Sequence, residues 1–469
     1  MNGSIRSQLF LFGLISLSLS SVAMAQSTSK LPNFFIFIAD DLGVLDTTAY
    51  GSSDAKTPNV AVLAREGLRF TRAFINSPTC APSRAALFTA LRSQRNGVEP
   101  NHDNKRFAAV THALGKLKAL NYEIAAFGKI RHASRKKDKW DHGIDHLGKQ
   151  RIELQEIEKF LKTRNRSRPL LLMVGSNPPH VPWPKANKVS FDPQRVSLPP
   201  RSFDTLQTRI DFTRYLEDIK TMDRMLGETR QLADKYLDLN NTVTLFTSDH
   251  GAQWTFAKWN LYDAGTRVPL IVTWPNKIKA NTKTAAMVSW IDIFPTLTEI
   301  VGKQPDLNRD GRSFKKVLIG QSEKHRDKIF TTHTGGGKNQ FPMRAVRTDK
   351  WKYILNLYPE LYFRTPIDAG PNNPKGKPNS SYFATWEAAA KNVRAAQIAV
   401  DTYHMRPAEE LYKLDDDPYE TNNLVSDPRY RKVLAELRAD VERLMQETND
   451  QKLLTGKPVY RSEFRKAKR

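Results

Sequence analysis

The 469-residue chain has a single cysteine, Cys80, so no internal disulfide can form whatever the redox state of its compartment. Long apolar runs are almost as scarce. The exception spans Leu9 to Val22, after the basic start Met1-Asn2-Gly3-Ser4-Ile5-Arg6 and before Ala23-Met24-Ala25. It is too short and too poorly flanked to cross a membrane, and it reads as a signal peptide over residues 1–25, cleaved after Ala25. No cysteine follows the apolar core, so no lipid or membrane anchor is expected, and the mature chain is expected in the periplasm or secreted. Acid is also in short supply. Asp and Glu number 49 against 73 Lys and Arg, a net charge of +24, and such an excess gathers polyanions. Without crosslinks, the fold must hold by burial and by metal, and the length suffices for one large domain and a smaller one.

The one cysteine sits in Ser77-Pro78-Thr79-Cys80-Ala81-Pro82-Ser83-Arg84, followed by the helix-forming run Ala85 to Leu91. Pro82 suits the first turn of a helix, where its missing N–H is no loss. Cys80 therefore lies at a helix N-terminus, where unpaired N–H groups favour an anion. Arg84, four residues on, adds a fixed cation with several donors. These features suit a nucleophile position in an anion cradle, or else a small buried structural thiol.

Other chemistry-bearing residues follow apolar runs that read as strands. Asn33 to Ala39 is apolar almost throughout, as in a strand buried on both faces, and ends in Asp40-Asp41. Ligands gather beyond the carboxyl ends of such strands, and two adjacent acids there suit a divalent cation with oxygen ligands, calcium or magnesium. A strand from Tyr122 delivers Lys129, Arg131 and His132, and Pro169 to Gly175 leads into Pro178-Pro179-His180-Val181-Pro182-Trp183. The run Thr242 to Thr247 ends in Ser248-Asp249-His250-Gly251, with Lys258 soon after. Asp249 is a third candidate metal ligand. Imidazole is an uncommon partner for a hard cation, so His250 is either a weak ligand or a donor to one.

The Cys-x-Pro-Ser-Arg run resembles the maturation signature of the formylglycine-dependent sulfatases, and the order strand, acidic pair, helix, strand, cysteine matches their opening from Pro32 to about Gly97. The resemblance implies an α/β, alkaline-phosphatase-like sandwich. A large mixed, mostly parallel sheet would lie between helices over residues 26–325, with a smaller antiparallel sheet and a helix over residues 326–469. It implies that a maturation enzyme converts Cys80 to formylglycine, whose hydrate attacks sulfur. It also implies a metal held by Asp40, Asp41, position 80, Asp249 and His250. Arg84, Lys129 and Lys258 would offset charge on sulfate oxygens, Lys129, Arg131, His180 and Lys258 would bind substrate, His180 would protonate the leaving oxygen, and His132 would help regenerate the aldehyde. His132 lies three residues after Lys129, where most members have two, a spacing similar to iduronate-2-sulfatases. Phe341 to Arg347, Arg406 to Tyr412 and Asp417 to Leu424 look most like heparan N-sulfatase.

Coarser signals fill the remainder. Helices are expected over Thr111–Leu120, Ile152–Lys162, Thr208–Tyr236 and Arg429–Thr448, and the Pro-, Gly- and Asn-rich stretch within Tyr358–His404 reads largely as loop. There is no zinc-finger spacing, no RNA-binding signature and no long basic tract beyond Arg135-Lys136-Lys137 and the tail Arg465 to Arg469. With the export signal, the charge therefore favours a sulfated polysaccharide or oligosaccharide, a carrageenan-type galactan or a glycosaminoglycan, over nucleic acid. An N-sulfate, a phosphate or phosphonate ester, and polyanion binding without turnover stand as alternatives.

Overall fold

Every residue of the strand Asn33–Ala39 (β1) after Asn33 is buried. The cause is its position between two parallel neighbours, β5 (Leu170–Gly175) and β6 (Thr242–Ser248). Outside β5 lies β3 (Glu123–Gly128), also parallel. Four adjacent strands therefore point the same way, and their carboxyl ends form one edge. β2 (Leu68–Phe74), β4 (His142–Ile144), β7 (Arg267–Thr273), β8 (Thr282–Thr284) and β9 (Val288–Ser289) complete a nine-stranded sheet among the described residues. Its order is β4-β3-β5-β1-β6-β7-β2-β8, with β9 beside β2, and it turns antiparallel where β7 meets β6 and β2. The computed structural model describes residues 30–101, 109–132, 140–144, 154–336, 339–368, 382–452 and 458–463, together with Met1, Phe107, Asp138 and Leu454. Residues 2–25 of the expected signal peptide, the basic run 135–137 and the tail 465–469 lie outside them.

Alternation along the strands sorts side chains between two faces. Phe35, Phe37 and Phe246 enter a core with Tyr215, Leu216 and Ile219 of the long helix α4 (Leu206–Tyr236). That helix also packs on α1 (Pro58–Glu66) and α3 (Leu154–Thr163). Thr247 faces the other way, where its hydroxyl accepts from Trp290 Nε1 at 2.9 Å. Around this tryptophan pack α2 (Cys80–Thr89) and α5 (Ile293–Ile300).

The second sheet is antiparallel, in the order β10 (Ile329–Gly336), β11 (Asn339–Arg347), β12 (Trp351–Asn356) and β13 (Glu409–Lys413). One face carries Val346, Tyr353 and Leu411 against Leu434, Leu437 and Val441 of a C-terminal helix, Arg431–Glu447. From the other, Phe341, Met343 and Ala345 enter the same core as β1 and α4. The division expected near residue 325 thus marks a change of sheet, while residues from Pro32 onward cluster as one compact unit. Among the described residues, no helix is long and apolar enough to cross a membrane.

Two expectations give way. The helix expected over Thr111–Leu120 shrinks to one turn, Gly115–Lys118, because Ala113 N–H donates to Phe88 O and Gly115 lowers helix propensity. The stretch read as loop holds two helices, α6 (Tyr382–Ala389) and α7 (Arg394–His404), while residues 369–381 lie outside the description. Aromatic burial decides this. Tyr382 stacks on Trp254 with ring centroids 4.3 Å apart, and Trp386 Nε1 donates to Thr208 Oγ1.

Asp292 ties the turn beneath α2 to the chain that follows it. Its carboxylate is fully buried, accepts from the Ser289 and Arg312 backbone N–H groups, and pairs with Arg326. Burial alone would raise its pKa, but Arg326 and His325 hold it well below the usual carboxylate range. Asp292→Asn should therefore cost about 3–5 kcal/mol, since it leaves a buried guanidinium without its counter-charge. Urea unfolding at pH 7 measures that loss. The gap between variant and wild type should be full above the unfolded carboxylate value of about 3.9 and should close as pH falls through the lower folded value.

Candidate active site

Asp40 and Asp41 follow β1, Asp249 and His250 follow β6, and Lys129 follows β3, so strand pairing alone brings all five to one edge. Asp41 has φ +67°, in the left-handed region that side chains disfavour. Three groups hold this turn. Asp249 Oδ1 accepts from Asp41 N–H at 3.2 Å, Ser248 Oγ from Leu42 N–H at 3.0 Å and Tyr215 Oη from Gly43 N–H at 3.2 Å.

Cys80 is the first residue of α2, whose N-cap Thr79 is extended. Its Sγ lies 3.8 Å from Asp40 Oδ1, 3.7 Å from Lys129 Nζ and 3.3 Å from His250 Nε2. Burial alone would raise the thiol pKa. Lys129, Lys258 and His250, with a hydrogen bond from His132, bring it well below its ordinary value. Position 80 is thus a cradle for negative charge, the property expected from the sequence.

Asp40, position 80, Asp249 and His250 can each turn one ligand atom to within 4.8 Å of the others, all buried; Asp41, position 80 and His180 form an overlapping group. His250 Nδ1 faces Gly251 O at 2.9 Å, and a carbonyl only accepts, so Nδ1 carries a proton and Nε2 is the atom free to bind a cation. That atom lies 3.3 Å from Asp41 Oδ1 and 3.6 Å from Asp249 Oδ1. Burial disfavours the imidazolium, but Asp249, position 80 and Asp41 raise its pKa to about 9, so a cation at Nε2 would replace a proton. Burial and the charge of Asp40 push the Asp249 carboxyl up to about 7, even with His250 and Arg84 beside it. Carboxylates converging this closely out of water, with a ring nitrogen among them, fit a divalent cation.

The lysines divide the remaining charge. Lys129 pairs with Asp40, and Lys258 Nζ lies 2.8 Å from both oxygens of Asp41. Desolvation works against each ammonium, yet Asp40 and Asp41 respectively hold their pKa values above the ordinary lysine value. Both lysines line a cavity of about 310 Å³ with Cys80 and His180. His180 Nδ1 lies 2.5 Å from Val181 O, so it too carries its proton there, and Nε2 is the atom 3.9 Å from Asp41. Burial disfavours the imidazolium, but Asp41 outweighs it and the pKa is raised.

Two expected site residues lie elsewhere. Arg84, fully buried, turns its Nε and Nη2 onto Asp249 at 3.0 and 2.9 Å and its Nη1 onto the carbonyl of Lys129. It braces the ligand cluster and does not line the cavity. Arg131 lies across Gly143 of β4, 2.9 Å from where a Cβ would stand, and is also absent from the cavity wall. Sequence reasoning missed Asn101, Gln253 and Trp259, which line the cavity, and the rim of Gly335 and Gly336 from the second sheet. Trp259, at φ +67°, follows Lys258 and holds its ring 5.0 Å from that ammonium. Its place beside a lysine was the one available signal.

Comparison with known proteins gives the family. The sulfatase family profile matches residues 32–303, and that of the N-sulphoglucosamine sulphohydrolase C-terminal region matches residues 250–365. An ulvan-active sulfatase of Formosa agariphila is 30% identical over 92% of this chain and 83% of its own. Human N-sulphoglucosamine sulphohydrolase is 27% identical over 89% and 90%. Among solved structures, a 2-O GAG sulfatase superposes with a TM-score of 0.68 at 18% identity, covering 90% and 93% of the two chains. The phosphonate monoester hydrolase of Agrobacterium radiobacter gives 0.66 at 18%, covering 90% and 97%. At that identity the structures speak for the fold alone.

A cation bound by the folded chain should stabilise it by about 2.7 kcal/mol at a hundredfold excess over Kd. Chelation should therefore lower the melting temperature of the wild type. Asp249→Asn should lower metal content, measured by elemental analysis of purified protein, and should largely remove the effect of the chelator on melting.

Proposed function

The chain belongs to the sulfatase family, and from that premise we propose that the exported protein removes sulfate from a polyanionic polysaccharide or its oligosaccharides once Cys80 has become formylglycine. It is a sulfuric ester hydrolase. The observation that carries the fuller reading is the convergence on position 80 of a buried carboxylate cluster and two lysines at the wall of one cavity. Export rests on the apolar run ending at Ala25, and the polysaccharide on the basic excess together with the ulvan-active relative.

Asp40, Asp41, Asp249 and His250 would hold the cation, calcium or magnesium, with an oxygen of the matured residue 80. When bound, it supplies positive charge to draw electrons from the sulfate oxygens. Position 80, once matured to a hydrated aldehyde, would supply one hydroxyl as the nucleophile towards sulfur and a second whose deprotonation lets sulfate leave. Lys129 and Lys258 sit where they can hold sulfate oxygens as the S–O bond breaks, an electrostatic contribution already in place before reaction. His180, with Nδ1 fixed by Val181, carries the acidic proton on Nε2 and gives it to the departing sugar oxygen. His132, hydrogen-bonded to position 80, takes the proton from the second hydroxyl. Arg84 keeps Asp249 and the Lys129 backbone in register.

A second reading, cleavage of an N-sulfate, draws on the match of residues 250–365 to the N-sulphoglucosamine sulphohydrolase C-terminal region. Sulfate release from a panel of O- and N-sulfated glycans tests both. Protein made with a maturation enzyme should yield a Cys80 peptide lighter by the thiol-to-aldehyde difference, and Cys80→Ala should abolish turnover while glycan binding persists. Retained turnover in Cys80→Ala would contradict this mechanism. His180→Gln should slow glycan desulfation by about 10² to 10⁴, the range of general acid catalysis. It should slow an aryl sulfate much less, because a phenolate leaves without needing the proton.

A further inference from the structure

Gln253 lies five residues beyond β6 and is almost fully buried, yet it lines the catalytic cavity. Its Oε1 lies 3.4 Å from Lys258 Nζ. An ammonium only donates, so the atom facing it is the amide oxygen and the NH2 group points elsewhere. Among the described residues no protein group accepts from Nε2, and the atom is not sealed in the interior, so it is open to the cavity. In the free protein water meets such a donor, and an oxygen of a bound sugar can take its place.

The rest of the wall has the same polarity. Lys129 and Lys258 offer donors, and no Asp or Glu lines the cavity among the described residues. Such a wall favours oxygen acceptors around the scissile sulfate. It offers no carboxylate to a released amine, which takes a proton and is then a cation beside two lysines.

We propose that Gln253 is a specificity-determining residue, donating from Nε2 to an acceptor oxygen on the sugar that bears the sulfate. The site then prefers an O-sulfated sugar with a neighbouring hydroxyl or carboxylate to an N-sulfated amino sugar. This rests on the glycan-sulfatase reading above and deepens it. The lysines and His180 act on the sulfate and its bridging oxygen, whereas Gln253 reads the sugar beside them. A site built to hydrogen-bond a substrate group discriminates strongly against substrates lacking it, because its own buried polar atom is then left unpaired.

The test uses matured, metal-loaded full-length protein. It measures kcat/KM on O-sulfated disaccharides with a neighbouring hydroxyl or carboxylate, on N-sulfoglucosamine, and on 4-nitrophenyl sulfate, which has no neighbouring acceptor. In Gln253→Leu, the ratio of O-sulfated disaccharide to aryl sulfate kcat/KM should fall about tenfold, the size of a lost neutral hydrogen bond. Gln253→Glu, which replaces the donor with an acceptor of similar shape, should fall below Gln253→Leu on the disaccharide. If Gln253→Leu fails to fold, Gln253→Asn makes the same comparison. An unchanged ratio, or a wild-type preference for N-sulfoglucosamine, overturns the assignment while leaving the sulfatase reading intact. Failure to release sulfate from any substrate, aryl sulfate included, overturns the reading of the site and this assignment with it.

Discussion

Repulsion among buried carboxylates is the constraint around which the chain is arranged. Asp40, Asp41 and Asp249 are each 0% exposed at the ends of two neighbouring strands. In a poorly polarisable interior, like charges this close cannot stand uncompensated. Each counter-charge arrives by a separate route: Arg84 from the helix opened by Cys80, Lys129 from β3, and Lys258 from the loop after β6. Two of these groups, Lys129 and Lys258, also line the cavity. Stability and function are therefore two demands on one cluster, which explains why three segments far apart in sequence meet within a few ångströms.

Much of this was legible in the sequence because strands buried on both faces leave a plain mark. β1 and β5 are nearly unbroken apolar runs and β6 is a buried run with threonines; the acids begin at the residue after β1 and after β6, and His180 lies five residues after β5. The Cys80 motif singled out position 80, and parallel strands explain why the acids converge there. Side-chain direction was not legible. Arg84 has the right spacing to reach towards position 80, but spacing cannot reveal that Asp249, 165 residues later, takes its guanidinium. Arg131 looked well placed in a basic loop, and a glycine on an edge strand drew it aside.

The misjudged stretch before His404 has a different lesson. Its Pro, Gly and Asn residues dominated the composition, whereas Tyr382, Phe383 and Trp386 decided the structure. Aromatic rings spaced one helical turn apart bury large areas once a complementary surface exists. That surface is supplied by Trp254 and α4, which no local reading of residues 358–404 contains. Local propensity failed where the stabilising partner came from across the fold.

The core shared by the two sheets has a bearing on how the protein fails. Phe341, Met343 and Ala345 are packed into the same apolar cluster as Phe35 and Phe37, so the second sheet has no separate interior facing the first. Detaching it would open the cavity rim at Gly335 and strip cover from the strand that positions the acidic pair. Loss of the cavity wall and loss of the ligand cluster should therefore be one cooperative event. Between the working enzyme and the denatured chain there is no room for a half-folded form that still cleaves sulfate but has forgotten which sugar it should cleave.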